Sequence, residues 1–400
     1  MSILTGTCYD EKADKIWKSS RGGNGSCYII KLGDKLRILK KLFNRSGRRI
    51  DDLFDNALKF QIPLSPMFFD NSQNHPGEIS NWILMDYIPG NTLTAFMAGG
   101  YVGMRIKKRY TLEILAGITF QLSIMKHKHI KHRDLKPDNI IIDADMIPHL
   151  IDWDDATDRF SLSRSKNHGT VPFTAPEVFL SERRCESDIF SFGSIMYSII
   201  TEAFPFSQAY TTRKGLSVLL SQRPEFDRPD LEETLAMLDD FEMMSQSERA
   251  DSWNIIVTQV EPILVELIKL GIRDDSIFYN EQFMSDPFNN KIARLIRLCW
   301  KQDYQERIDP DELQDEIDKI AKEILTEPQD LMHYNNYCEC IFSLEPHEYG
   351  TLEMIEKAKK IGMYENDAPL LEIIKYYDPS FEMESDSKFS LFLQSLAPNS

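Results

Sequence analysis

The stretch His132-Arg133-Asp134-Leu135-Lys136-Pro137-Asp138-Asn139, followed by the apolar run at 140–142, gathers an acid, an amine and an amide into one short loop. A carboxylate at Asp134 can accept the proton of an incoming hydroxyl. Lys136, two residues on, can neutralise charge on a transferred group, and Asn139 can reach a divalent metal from the same loop. Eighteen residues after Asp134, Ile151-Asp152-Trp153 sets a second carboxylate after another apolar strand. One acid for a hydroxyl and another for a metal is the equipment of phosphoryl transfer from a nucleotide.

Upstream, the pattern is that of short strands with one helix. Residues 27–32 and 36–42 alternate as two strands joined at Gly33-Asp34, a tight hairpin signal. Residues 50–60 are helical in pattern and stop at Pro63 and Pro66, while 82–88 form a buried strand closed by Pro89-Gly90. Before the hairpin, Ser20-Arg21-Gly22-Gly23-Asn24-Gly25-Ser26-Cys27 is a glycine-rich turn whose backbone N–H groups can approach phosphates. Downstream the periodicity is helical over 106–130, and residues 187–201 are apolar nearly all round, which predicts a helix buried on every side. Helical patterns continue at 293–300 and 311–325, with a polar helical stretch inside 207–290 and two helices in the tail, at 352–361 and 370–377.

Composition bounds the class. The 400 residues are 42% hydrophobic and 27% charged, with only 19 prolines and 18 glycines, so a largely disordered chain is excluded. The net charge of −17 argues against a nucleic-acid surface. It is uneven: residues 1–50 carry +8, fit to receive a polyanionic nucleotide, and residues 301–400 carry −14. No apolar run reaches the roughly 20 residues of a membrane span, and the N-terminus lacks a secretory core, so a cytoplasmic, intracellular protein is expected. Six scattered cysteines, with only Cys338 and Cys340 close together, read as reduced thiols and not as a zinc framework.

The octet resembles, without a gap, the catalytic loop of the eukaryotic-type protein kinase superfamily, and Lys136 is the residue that marks serine/threonine specificity there. Gly169-Thr170-Val171-Pro172-Phe173-Thr174-Ala175-Pro176-Glu177 is similar to the end of that family's activation segment. The resemblance implies that Thr170 contacts Asp134 and Lys136, and that Glu177 pairs with a buried arginine. Cys299-Trp300 followed by Arg307 supplies one and resembles the tyrosine-kinase-like and tyrosine kinase groups. Asp188 matches the aspartate that holds the catalytic-loop backbone. Lys40, fifteen residues after Gly25, matches the lysine that binds the α- and β-phosphates, while Lys41 points to the other face. By the same resemblance Ser20, Gly22, Gly23, Gly25 and Cys27 cover the phosphates. Ile38 lids the adenine, Met85 is the gatekeeper, Asp86 and Ile88 meet the adenine through their backbone, and Ile141 lies beneath it.

Three departures stand out. Ser20 replaces the first glycine of the loop; Asp154 replaces the glycine of the metal motif, where a glycine eases the backbone; and the helix at 50–60 offers Lys40 no glutamate, only Asp51, Asp52 and Asp55. The stretch 151–156 also resembles aminoglycoside and choline phosphotransferases, which lack the element at 169–177. The expectation is therefore an α+β, bilobal protein kinase fold: an extension at 1–13, a domain at 14–325 and an acidic helical tail at 326–400. Within the domain, a small strand-rich lobe spans 14–88 and a helical lobe 89–325, the latter with an insert at 207–290. The expected function is ATP-dependent phosphorylation of protein serine or threonine, with Asp134 as base and Mg²⁺ on Asn139 and Asp152. A nucleotide-binding scaffold without turnover is the alternative. Phosphorylation of one of Ser161, Ser163 and Ser165, beside Arg159, Arg164 and Lys166, is expected to order this segment, with Arg133 as receptor.

Overall fold

Alternation over residues 25–42 produces an antiparallel hairpin in the computed structural model, which describes residues 15–21, 25–32, 35–42, 68–69, 82–98, 104–157, 169–180 and 186–344, with 354 and 357. The chain divides into two compact units, one drawn from 1–130, 137–165 and 317–400, the other from 131–136 and 166–316. The described strands are β1 (Lys15–Arg21), β2 (Gly25–Leu32), β3 (Lys35–Leu42), β4 (Phe68–Phe69), β5 (Trp82–Asp86), β6 (Gly90–Thr92), β7 (Ile140–Asp143) and β8 (Pro148–Leu150). The described helices are α1 (Leu93–Ala98), α2 (Met104–His127), α3 (Pro176–Phe179), α4 (Glu186–Thr201), α5 (Ser207–Thr211), α6 (Arg213–Leu220), α7 (Leu231–Met243), α8 (Gln246–Lys269), α9 (Glu281–Met284), α10 (Pro287–Cys299), α11 (Pro310–Ile324) and α12 (Pro328–Phe342). This is the α+β architecture the sequence suggests.

In the first unit, one antiparallel sheet has the order β1-β2-β3-β5-β4. Cys27 opposes Lys40, Ile29 opposes Ile38, and Ile38 opposes Met85. Opposed residues share a face and alternate residues return to it, so these five side chains stand on one side of the sheet. Arg37 and Asp86, also opposed, stand on the other side as a buried ion pair at 3.0 Å. The strand expected over 82–88 ends at Asp86. Gly90 then opens β6 in a second sheet, of order β6-β7-β8. A Cβ on Gly90 would lie 2.3 Å from the Ile142 carbonyl oxygen, so this glycine serves strand approach and not a tight turn.

The β7–β8 hairpin is closed by Asp143, whose Oδ1 accepts the N–H of Asp145 (2.8 Å) and of Ile147 (3.0 Å) while Oδ2 meets His149 Nε2 at 2.9 Å. Helix α2 is buried from Arg109 through Thr119, the mark of an element packed on all sides, and α12 packs along it. The expected helix at 50–60 and the Gly33-Asp34 turn lie outside the described residues. So do the two expected tail helices, apart from Met354 and Lys357.

The second unit is helical. Helix α4 is buried from Ser187 to Ile200, and Trp300, at the end of α10, stacks against Phe190 and Tyr197 and donates its indole N–H to Ser194 at 3.2 Å. The polar stretch inside 207–290 resolves into α5–α9. Its longest members, α7 and α8, pack Leu235, Leu238 and Phe241 against Ile256, Val260 and Leu264. A reciprocal cap between Ser245 and Glu248 starts α8.

Candidate active site

Two sets of chemically active side chains emerge, one in each unit. In the first, Lys40 is 8% exposed and would be costly to bury alone. Its ammonium lies 2.5 Å from Asp152 Oδ1, and the Asp152 side chain keeps 38% of its surface open. Cys27, Ile38 and Met85 share Lys40's sheet face. Ser20 lies in β1 and Gly25 opens β2, antiparallel strands in which Arg21 opposes Ser26; Gly22 and Gly23 lie outside the described residues. Ile88 is buried in the link after β5, and Ile141 is half-buried in β7. The backbone of Asp86 lies at the end of β5, but its side chain is committed to Arg37.

Asn139 and Asp152 are brought near each other by the β7–β8 hairpin. Ile140 opposes Leu150, and the Ile151 N–H donates to the Asn139 carbonyl at 3.0 Å, one residue beyond the ladder. An amide oxygen and a carboxylate at adjoining ends of one hairpin are hard donors, the type that suits a small divalent cation. Asp152 itself is left-handed, φ 62°, and Trp153–Asp155 follows as a 3-10 turn. The left-handed position is thus Asp152, and Asp154 lies within the 3-10 turn that follows. Trp153 is buried and anchored by its indole N–H to the Leu150 carbonyl at 3.0 Å. The acids Asp51, Asp52 and Asp55 lie outside the described residues.

In the second unit, Lys136 Nζ donates to Asp134 Oδ2 at 2.9 Å and to Thr170 Oγ1 at 2.9 Å, and the Thr170 hydroxyl donates to Asp134 Oδ1 at 3.2 Å. The three side chains close a ring that fixes the carboxylate by both oxygens. Arg133, just before it, is held left-handed at φ 75°. That conformation costs about 1 kcal/mol for a non-glycine residue. Asp188 offsets it by accepting the N–H groups of His132 (2.8 Å) and Arg133 (3.0 Å). Burial pushes the Asp188 carboxyl up to about 6, against the pull of His132. A cavity of about 20 Å³, room for a water, is lined by Asp134, Thr170, Thr174 and Asp188 among others.

Glu177 and Arg307 form a bidentate pair at 2.6 and 2.8 Å, and Arg307 also donates to the carbonyls of Glu186 (2.9 Å) and Lys301 (3.0 Å). Burial alone would raise the Glu177 carboxyl. The Arg307 hydrogen bonds and charge, with the Ser187 hydroxyl, bring it below its ordinary value. The serines expected to be phosphorylated, 161, 163 and 165, lie outside the described residues.

Comparison with known proteins bears directly on this arrangement. The family model for the protein kinase domain matches residues 69–317, more than half of the chain. The chain belongs to the protein kinase family. Among its relatives, 3-phosphoinositide-dependent protein kinase B of Dictyostelium discoideum is 27% identical over 217 residues, covering 47% of this chain and 22% of that protein. Mitogen-activated protein kinase kinase kinase 17 of Arabidopsis thaliana is 30% identical over 198 residues, 46% of this chain and 52% of the relative. Aurora kinase of Schizosaccharomyces pombe is 30% identical over 146 residues, 34% and 41%. The chain spans between 6% and 54% of the length of the curated relatives it matches. The matched part of this kinase domain begins after Lys40 and the glycine-rich turn, so their place rests on the β2–β3 hairpin and the ion pair to Asp152.

Some features of the kinase domain escaped the sequence reading. The Arg37–Asp86 pair is set by the β3–β5 register, since Arg37 is one of four basic residues in β3 and Asp86 is the last residue of β5. The His149–Asp143 contact and the hold of α12 on α2 had no clear signal either.

Proposed function

We propose that this chain is an active, ATP-dependent protein serine/threonine kinase. The observation that carries the reading is the closed ring of Asp134, Lys136 and Thr170, a carboxylate oriented by a cation and a hydroxyl. In the proposed reaction the substrate hydroxyl oxygen bonds to the γ-phosphorus, and the bond from that phosphorus to the β–γ bridging oxygen breaks. The hydroxyl proton passes to Asp134, and ADP leaves with the bridging electron pair. Lys136 neutralises charge on the transferred group, and Lys40 anchors the remaining phosphates. Asn139 and Asp152 would hold Mg²⁺, which supplies charge neutralisation for the phosphates when bound. Protein substrates, as against small molecules, are favoured by the intact element from Gly169 to Glu177. The Cys299-Trp300 and Arg307 pattern favours the tyrosine-kinase-like group.

The test is magnesium-dependent transfer of labelled γ-phosphate to a protein substrate mixture by purified chain. Asp134→Asn is expected to lower turnover by about a hundredfold or more, as loss of a general base does. Nucleotide binding without transfer would instead identify a scaffold, and transfer that Asp134→Asn leaves unchanged would remove Asp134 from the role of base.

A further inference from the structure

Asn139 and Asp152 flank the β7–β8 hairpin, so the elements that fix this hairpin fix both. Helix α2 supplies Gln121, whose amide N–H donates to the Pro148 carbonyl at 2.8 Å while its oxygen accepts the Leu150 N–H at 3.2 Å. Helix α12 supplies Tyr337, whose hydroxyl donates to the Met146 carbonyl at 3.3 Å, at the left-handed tip of the hairpin. Lys357 pairs with Asp145 at the same turn.

Packing reinforces these bonds. A Cβ on Gly117 of α2 would come within 2.6 Å of Pro148 and 2.8 Å of the Tyr337 hydroxyl, so helix, hairpin and tyrosine meet with no room for a methyl group. Burial holds the Tyr337 phenol well above its ordinary pKa, which keeps it a neutral donor. Helix α12 is tied down in turn: Arg109 meets Asp330 at 3.3 Å, and Tyr334 donates to Asp318 at 2.5 Å. All of α12 lies past residue 317, where the family match ends. The brace therefore joins an element outside the matched residues to α2 and the hairpin inside them.

We infer that α12 positions the metal-and-nucleotide site, with Tyr337 as the positioning residue that holds the hairpin turn and, through two short strands, the spacing of Asn139 and Asp152. The inference rests on the reading of those two residues as cation ligands. Cation affinity depends steeply on ligand spacing, and loss of a supporting group behind the ligands commonly costs tenfold or more.

The experiment measures binding of a fluorescent ATP analogue to the full chain, titrated with Mg²⁺ and repeated without it, for wild type, Tyr337→Ala, Tyr337→Phe and Asp152→Asn. Tyr337→Ala is expected to raise the half-maximal Mg²⁺ concentration about tenfold, with metal-free affinity changed less than about twofold. Tyr337→Phe keeps the ring and is expected to restore most of that loss, leaving about a threefold rise. An unchanged Mg²⁺ requirement in folded Tyr337→Ala, or equal weakening with and without metal, overturns the inference. If Tyr337→Ala does not fold, Tyr337→Phe decides alone: an unchanged requirement overturns. Should Asp152→Asn leave wild-type Mg²⁺ dependence intact, the cation reading fails, and the inference with it. If Asp152→Asn abolishes that dependence while both Tyr337 variants retain it, only the brace fails.

Discussion

Two ion pairs in this molecule are nearly equal in length, 2.5 and 2.6 Å, and differ in how far the acid is exposed. Glu177 and Arg307 are sealed, at 7% and 0% side-chain exposure, and Arg307 gives two further hydrogen bonds to backbone carbonyls. Lys40 and Asp152 meet at 2.5 Å, and the Asp152 side chain stays 38% exposed. A saturated, buried pair has nothing left to offer a ligand. A pair with one open carboxylate can exchange its partner for a phosphate or a cation at little cost. Exposure thus separates the sealed pair from the one to which the proposed reaction assigns chemistry, and each half of that contrast can be broken.

The largest effect should come from Arg307→Ala, which leaves Glu177 as an uncompensated buried charge. Such a loss costs about 3–5 kcal/mol, read by chemical denaturation. A loss below about 1 kcal/mol would show that the pair is not structural. The Glu177 carboxyl lies below its ordinary value when folded, so its stabilisation is present above the unfolded pKa of about 4.5 and is lost as pH falls through the lower folded value. Glu177→Gln should flatten that acid limb.

Arg109, Glu113 and Asp330 make an intermediate case, since one guanidinium serves two buried acids at 3.5 and 3.3 Å. Burial lifts Glu113 to about 7, opposed by Arg109 and reinforced by Asp330. A raised carboxyl stabilises the fold at low pH, and that contribution is lost as pH climbs from the unfolded value through 7. Between pH 4.5 and 8, wild type should lose up to roughly 3 kcal/mol relative to Glu113→Gln. Parallel stability curves for the two proteins would place Glu113 in water, outside the cluster.

How far the sequence reached follows the same physics. Local patterns were legible: β2 and β3 alternate, α4 is apolar on every side, and the octet at 132–139 carries its chemistry within eight residues. The long-range partners of Thr170, Asp188 and Glu177 came through resemblance to a family and not through periodicity. Helix α12 escaped placement because its buried stripe is Asp330, Tyr334, Cys338 and Ile341, a helical spacing written in mixed polarity. The strand expected over 82–88 overshoots β5 by two residues, because Tyr87 and Ile88 are buried without pairing in that sheet. The Arg37–Asp86 pair needed the β3–β5 register, which no single strand reveals.

For the open pair, Lys40→Met should lower phosphate transfer by about a hundredfold, while stability shifts by less than about 1 kcal/mol because Asp152 remains solvated. A stability loss as large as that of Arg307→Ala would collapse the contrast between the two pairs.

Thr170 tests the gentlest version of the same idea, within the ring around Asp134. Its hydroxyl gives one hydrogen bond to a carboxylate and takes one from Lys136. Bonds to charged groups contribute about 1.5–3 kcal/mol, so Thr170→Val should lower kcat about tenfold with KM for ATP nearly unchanged. Thr170→Ser keeps the oxygen and should recover most of the rate. A Thr170→Val protein with full kcat would mean that Lys136 alone orients the carboxylate. The ring would then reduce to the Lys136–Asp134 pair, closer in kind to Lys40–Asp152 than to Glu177–Arg307.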